Sequence, residues 1–113
     1  MTVLSATTMI GDSVTNTAGE DLGKIEEIML DVDKGRIAYA VVSFGGFLGM
    51  GGKYFAVPWE KLQLDTMNEQ FLFNVSKGTL ENAPGFDKDN WPKTPDYNYM
   101  RDIYNHYNAK IYW

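Results

Sequence analysis

The sequence predicts a mainly β protein: a small six-stranded antiparallel β-barrel followed by a short, helical, aromatic-rich C-terminal extension. Three observations carry this expectation. Up to about Val75 the chain breaks into short apolar runs separated by turn signals. These runs number six, with short connections, as a small closed barrel requires. Beyond Val75 lie three of the four prolines and half of the aromatic residues. At 113 residues one compact domain is expected, with the barrel at 1–78. The extension, 79–113, is expected to pack on the barrel or on a partner subunit.

The first strand is expected near 13–16, and Gly19 supplies the turn after it. The second, near 22–32, alternates but slips phase: Ile25 follows one phase, and Ile28, Leu30 and Val32 the other. A β-bulge at Glu26-Glu27 would return both sets to the core. Asp33-Lys34-Gly35 reads as a tight hairpin turn. The third strand, 36–44, is apolar on both faces, so both faces should be covered. A fourth strand, 53–57, ends at Pro58, which lacks the N–H that a ladder needs. The fifth is expected near 61–64 and the sixth at 70–75, with Phe71, Phe73 and Val75 on one face. In the extension, 79–83 can form one helical turn before Pro84-Gly85, and 86–93 reads as loop. Thr94-Pro95-Asp96 supplies a helix start, with Thr94 as N-cap and Pro95 at the first helical position. Tyr97, Met100, Tyr104, Tyr107 and Ile111 then fall along one face.

Composition excludes several chemistries. With no cysteine there are no disulfides, thiolate zinc sites or iron–sulfur clusters, and a single histidine, His106, makes an imidazole metal site unexpected. No metal and no cofactor are expected. The net charge of −5 disfavours nucleic acid, since the lysines and arginines are scattered. The N-terminus lacks a basic leader, and no apolar run approaches the ~20 residues of a membrane span. A soluble cytoplasmic protein without a membrane span is therefore expected.

The segment SFGGFLGMGGKYF places five glycines before Lys53. A phosphate loop needs glycine where Phe47 stands, a hydroxyl where Tyr54 stands, and a helix afterwards. All three conditions fail, so the glycines read as a strand connection. Phe47, Leu48 and Met50 are apolar within that connection and are expected to form a protein contact. The aspartates from Asp31 and from Asp87 fail as calcium loops, because Arg36 and Pro92 occupy the glycine position. Asp102 and His106 are four residues apart on the expected helix. No nucleophile or oxyanion site accompanies them, so no catalytic residue is expected.

The run Gly11-Asp12-Ser13-Val14, Gly19-Glu20-Asp21-Leu22-Gly23-Lys24-Ile25, Met29-Leu30-Asp31 and Gly35-Arg36-Ile37-Ala38-Tyr39-Ala40-Val41-Val42 resembles the PRC-barrel family. So does Phe44-Gly45-Gly46 through Ala56-Val57-Pro58-Trp59 and Leu62, and the likeness covers about residues 6–78. This β-barrel domain is found in the H subunit of the purple bacterial photosynthetic reaction centre and in a ribosome maturation factor. The tail from Ala83-Pro84-Gly85-Phe86 is similar to that of small free-standing bacterial members. The resemblance implies a non-enzymatic adaptor or assembly module with no catalytic residues to transfer. The preferred reading is a protein-interaction module, expected as a homodimer, with Phe47, Leu48, Met50, Tyr97, Tyr104 and Tyr107 as candidate contacts. The alternative, by analogy only, is an RNA- or ribosome-associated accessory factor. A third reading, a small-ligand or hydrolytic role, would use Asp102 and His106 or the glycine segment. Met50→Asp is expected to weaken self-association in sedimentation at micromolar concentration. A wild-type chain that is monomeric throughout would remove the homodimer.

Overall fold

The computed structural model describes residues 2–44, 53–93 and 96–113. A single turn of helix, α1 (Ala6–Met9), precedes strands β1 (Ser13–Thr15), β2 (Asp21–Asp31), β3 (Arg36–Phe44) and β4 (Lys53–Pro58). A 3₁₀ turn (Trp59–Lys61) leads into β5 (Leu62–Asp65) and β6 (Gln70–Phe73). The remainder is α2 (Lys77–Glu81), β7 (Phe86–Asp87) and α3 (Tyr97–His106). The fold is mainly β with a C-terminal helix, as expected.

The strands form one sheet in the order β5-β6-β1-β2-β3-β4-β7. It departs from the expected six-stranded, wholly antiparallel, closed barrel in three ways. A seventh strand, β7, arises inside the expected loop 86–93, because Lys53 and Tyr54 at the start of β4 pair with Asp87 and Phe86. The pairing of β1 with β6 is parallel. Its cause is the 3₁₀ turn, which carries the chain from β4 to β5 without the reversal that a hairpin would impose. Among the described residues no ladder joins β5 to β4 or β7, so the sheet is not closed. Yet only three residues separate β4 from β5, although β6, β1, β2 and β3 stand between them in the ladder. The sheet must therefore curl until these two strands lie one turn apart.

The bulge expected at Glu26-Glu27 is present. Ile25 lies opposite Val42 and Glu27 opposite Val41, leaving Glu26 as the extra residue. Ile25 and Ile28 consequently both reach the interior, with Val14, Leu22, Phe55, Phe71 and Phe73. The expectation that Leu30 and Val32 follow them is corrected: they are 64% and 81% exposed. A second register shift, between Met29 and Leu30, puts its extra residue, Ala38, in β3 and leaves the alternation of β2 intact. The hairpin tip then projects past the last core layer. Gly35 closes it at φ +66°, the left-handed conformation anticipated for this turn.

β3 buries both faces, as expected. Ala40, Val42 and Phe44 fill the interior, while Tyr39, Val41 and Ala56 of β4 lie under Met100, Ile103 and Tyr104 of α3. The helix start differs from expectation. Asp96, not Thr94, is the N-cap, and its carboxylate accepts from the Tyr99 N–H at 3.0 Å. An ionised oxygen three residues ahead of a free amide is a strong cap at the positive helix end. The neutral Ser76 hydroxyl accepts from the Thr79 N–H and caps α2, which starts two residues before the expected 79.

One close approach locks the hairpin into the sheet. Gly23 has φ +130°, and a Cβ there would stand 1.9 Å from the Ser43 carbonyl oxygen. Gly23→Ala should cost at least about 2 kcal/mol, read as a lower urea midpoint. Gly78→Ala, whose Cβ would meet nothing within 4 Å, should instead be neutral or stabilising by up to ~1 kcal/mol.

Candidate functional site

Asp31 ends β2 beside the exposed tip of the hairpin, and the C-terminal tail returns to it. Its Oδ2 accepts from the Tyr112 hydroxyl at 2.6 Å and from the Tyr97 hydroxyl at 3.1 Å. Its Oδ1 accepts from the Lys34 N–H at 3.1 Å. The Tyr112 hydrogen bond is the largest cause holding the carboxyl below the ordinary value of 3.8; burial opposes it, and the weaker bonds from Lys34 and Tyr97 add to the lowering. Burial and then the same hydrogen bond push the Tyr112 hydroxyl up. The Arg36 guanidinium lies 3.7 Å over the Tyr112 ring, and the Tyr97 ring stacks on Trp113 at 5.2 Å. At its other end the tail is pinned where the Lys110 N–H donates to Glu60 Oε1 at 2.6 Å.

Beside this anchor, between the hairpin tip and α3, lies a groove of about 320 Å³. Met29, Ala38, Tyr39 and Met100 line its apolar part, and Leu30, Val32 and Tyr97 also border it. Asp31, Asp33 and Asp96 are among its lining residues, and among the described residues no lysine or arginine lines it. Leu30 and Val32 stand clear of the fold there, beyond any role in the core.

The candidate contacts named from the sequence fall in different places. Tyr97 borders the groove and is 37% exposed. Tyr104 is buried under the tail, donating its hydroxyl to the Ala38 carbonyl at 2.6 Å, and has no surface to offer. Tyr107 is half-buried, packs on Phe73 and has its hydroxyl pushed up to about 12 by burial. Phe47, Leu48 and Met50 lie outside the described residues. Asp102 and His106 are both exposed on α3, no hydrogen bond joins them, and His106 meets the edge of the Tyr107 ring instead. Among the described residues no group of three or more acidic or histidine side chains is placed to hold a metal ion. No helix among them is long and apolar enough to cross a membrane. Sequence reasoning placed Leu30 and Val32 in the core and weighed Asp31 only as the start of a calcium loop. The run LDVDKG carried a signal, since apolar and acidic residues alternate into a turn, but only the structure shows that the hairpin carries Leu30 and Val32 past the core.

Against known proteins, the family model described as PRC-barrel domain matches residues 1–80. A search of the curated proteins found none that matches the chain.

The Asp31 anchor sets an acid dependence. A carboxyl held below its ordinary value makes the unfolded chain bind more protons than the native one near that value. Its contribution is present above pH ~4 and is lost as pH falls through the folded-state value. Tyr112→Phe removes the largest cause, and should lower stability at neutral pH and flatten its fall below pH ~4. Urea midpoints measured across pH check this.

Proposed function

The chain belongs to the PRC-barrel domain family, and from that premise we propose that it is a non-catalytic, cytoplasmic module for protein interaction and assembly. Residues 1–78 are the barrel unit of that module and 79–113 an extension that completes it. One observation carries the reading: Leu30 and Val32 are exposed at the hairpin tip, next to a groove lined by apolar side chains. Apolar side chains in this position lose favourable burial unless another surface covers them. The tail supports the same reading. Its aromatic residues pack on the outer face of β3 and β4, so this face is already covered by the chain itself. Self-association through Phe47, Leu48 and Met50 is a separate contact within the same proposal.

The test is Leu30→Ser/Val32→Ser. Both side chains are exposed, so the double variant should keep the wild-type stability within ~0.5 kcal/mol, measured by urea unfolding. In affinity capture from the native cytoplasm at low salt, the wild-type chain should retain a protein partner that the variant loses by about tenfold or more. Retention of the same partner by both chains, or of none by either, overturns the proposal.

A further inference from the structure

We propose that the groove at the tip of the β2–β3 hairpin docks a basic, apolar segment of a partner protein, one in which lysine or arginine alternates with aliphatic side chains. The inference rests on the interaction-module reading and names the chemistry of its partner.

The occupant follows from the lining. Met29, Ala38 and Met100 offer an apolar trough, and Asp31, Asp33 and Asp96 place carboxylates around it. Among the described residues no lysine or arginine lines the trough. Arg36, over the Tyr112 ring, and Lys34, in the adjoining turn, keep their charges, and together they balance at most two of the three. Asp31 is fixed by three hydrogen bonds and Asp96 by its cap to Tyr99, so both carboxylates are pre-positioned. A lysine or arginine suits such a lining, because its methylene stem lies along apolar surface while its head reaches the acidic rim. Leu30 and Val32 rise beside the trough and require a partner broad enough to cover them. An extended segment with neighbouring aliphatic side chains does so, and a small cationic metabolite does not. A second copy of this chain carries the same −5 charge and would bring like charge to the rim. Nucleic acid is repelled for the same reason.

The test uses the full chain and three labelled peptides of equal length: alternating Lys-Leu, Ser-Leu and Glu-Leu, read by fluorescence anisotropy. The Lys-Leu peptide should bind about tenfold tighter than Ser-Leu, Glu-Leu should not bind, and the preference should shrink as salt rises to ~0.5 M. Asp33→Asn/Asp96→Asn, which keeps a competent cap at position 96, should weaken Lys-Leu binding about fivefold or more. Glu69→Gln/Asp87→Asn, an equal charge change at two exposed sites outside the groove, should not. Equal binding of Lys-Leu and Ser-Leu, or equal loss in the two charge variants, overturns the inference. If Leu30→Ser/Val32→Ser still loses its captured partner in that event, the interaction-module reading stands without it. An RNA oligonucleotide that displaces the Lys-Leu peptide also overturns the inference. Failure of every peptide to bind, together with an empty capture, overturns both readings.

Discussion

Tyr39 and Val41 point away from the interior that Ala40, Val42 and Phe44 fill, and water must be kept from both sides of this strand. Each large apolar side chain taken fully out of water contributes roughly 1.5–3 kcal/mol. A curled single-layer sheet covers only its concave side. The second side of β3 and β4 is covered by α3 and the segment that follows it, which bring Met100, Ile103 and Tyr104 into contact and lay Ile111, Tyr112 and Trp113 around them. The C-terminal third of the chain is thus part of the packing of the central strand.

Covering that face has polar consequences. The Tyr104 hydroxyl cannot be buried alone, and it meets the Ala38 carbonyl, which the second register shift leaves beside it. The segment after α3 also docks on Asp31 through Tyr112, with Arg36 and Trp113 closing over the tyrosine rings. This places a hydrogen-bonded acidic anchor at the one end of the hairpin that projects beyond the core. Core packing, tail docking and the acidic groove are therefore linked through the β2–β3 hairpin. Asn16 plays a comparable part at the opposite turn. It is buried, and its amide bonds Glu20, the Val75 carbonyl and the Ala18 and Glu20 N–H groups, so that all of its polar capacity is met.

Local periodicity was legible where neighbours in sequence are neighbours in space. The slip at Glu26-Glu27, the Gly35 turn and the two-sided apolarity of β3 could be read because each depends on a few adjacent residues. Caps were less legible, since Thr94 and Asp96 are both competent and only the amides in reach decide between them. Strand β7 was invisible, because two residues pair with the start of β4 without a pattern of their own. The site was the least legible part. Leu30 and Val32 continue a core phase in the sequence, and their exposure comes from the reach of the hairpin past the last core layer, which that phase does not show.

The sequence alone determined the fold class, the order of most strands, the bulge at Glu26 and the family likeness, all of which follow from side-chain periodicity and turn chemistry along the chain. Only the tertiary structure decided that β1 and β6 run parallel, that Tyr104 belongs to the interior, and that Asp31 collects the tail. These are contacts between residues 57 to 81 positions apart in the chain. Many positions can present a hydroxyl to a carboxylate or an edge to a strand, and which pair meets is settled by how the sheet curls.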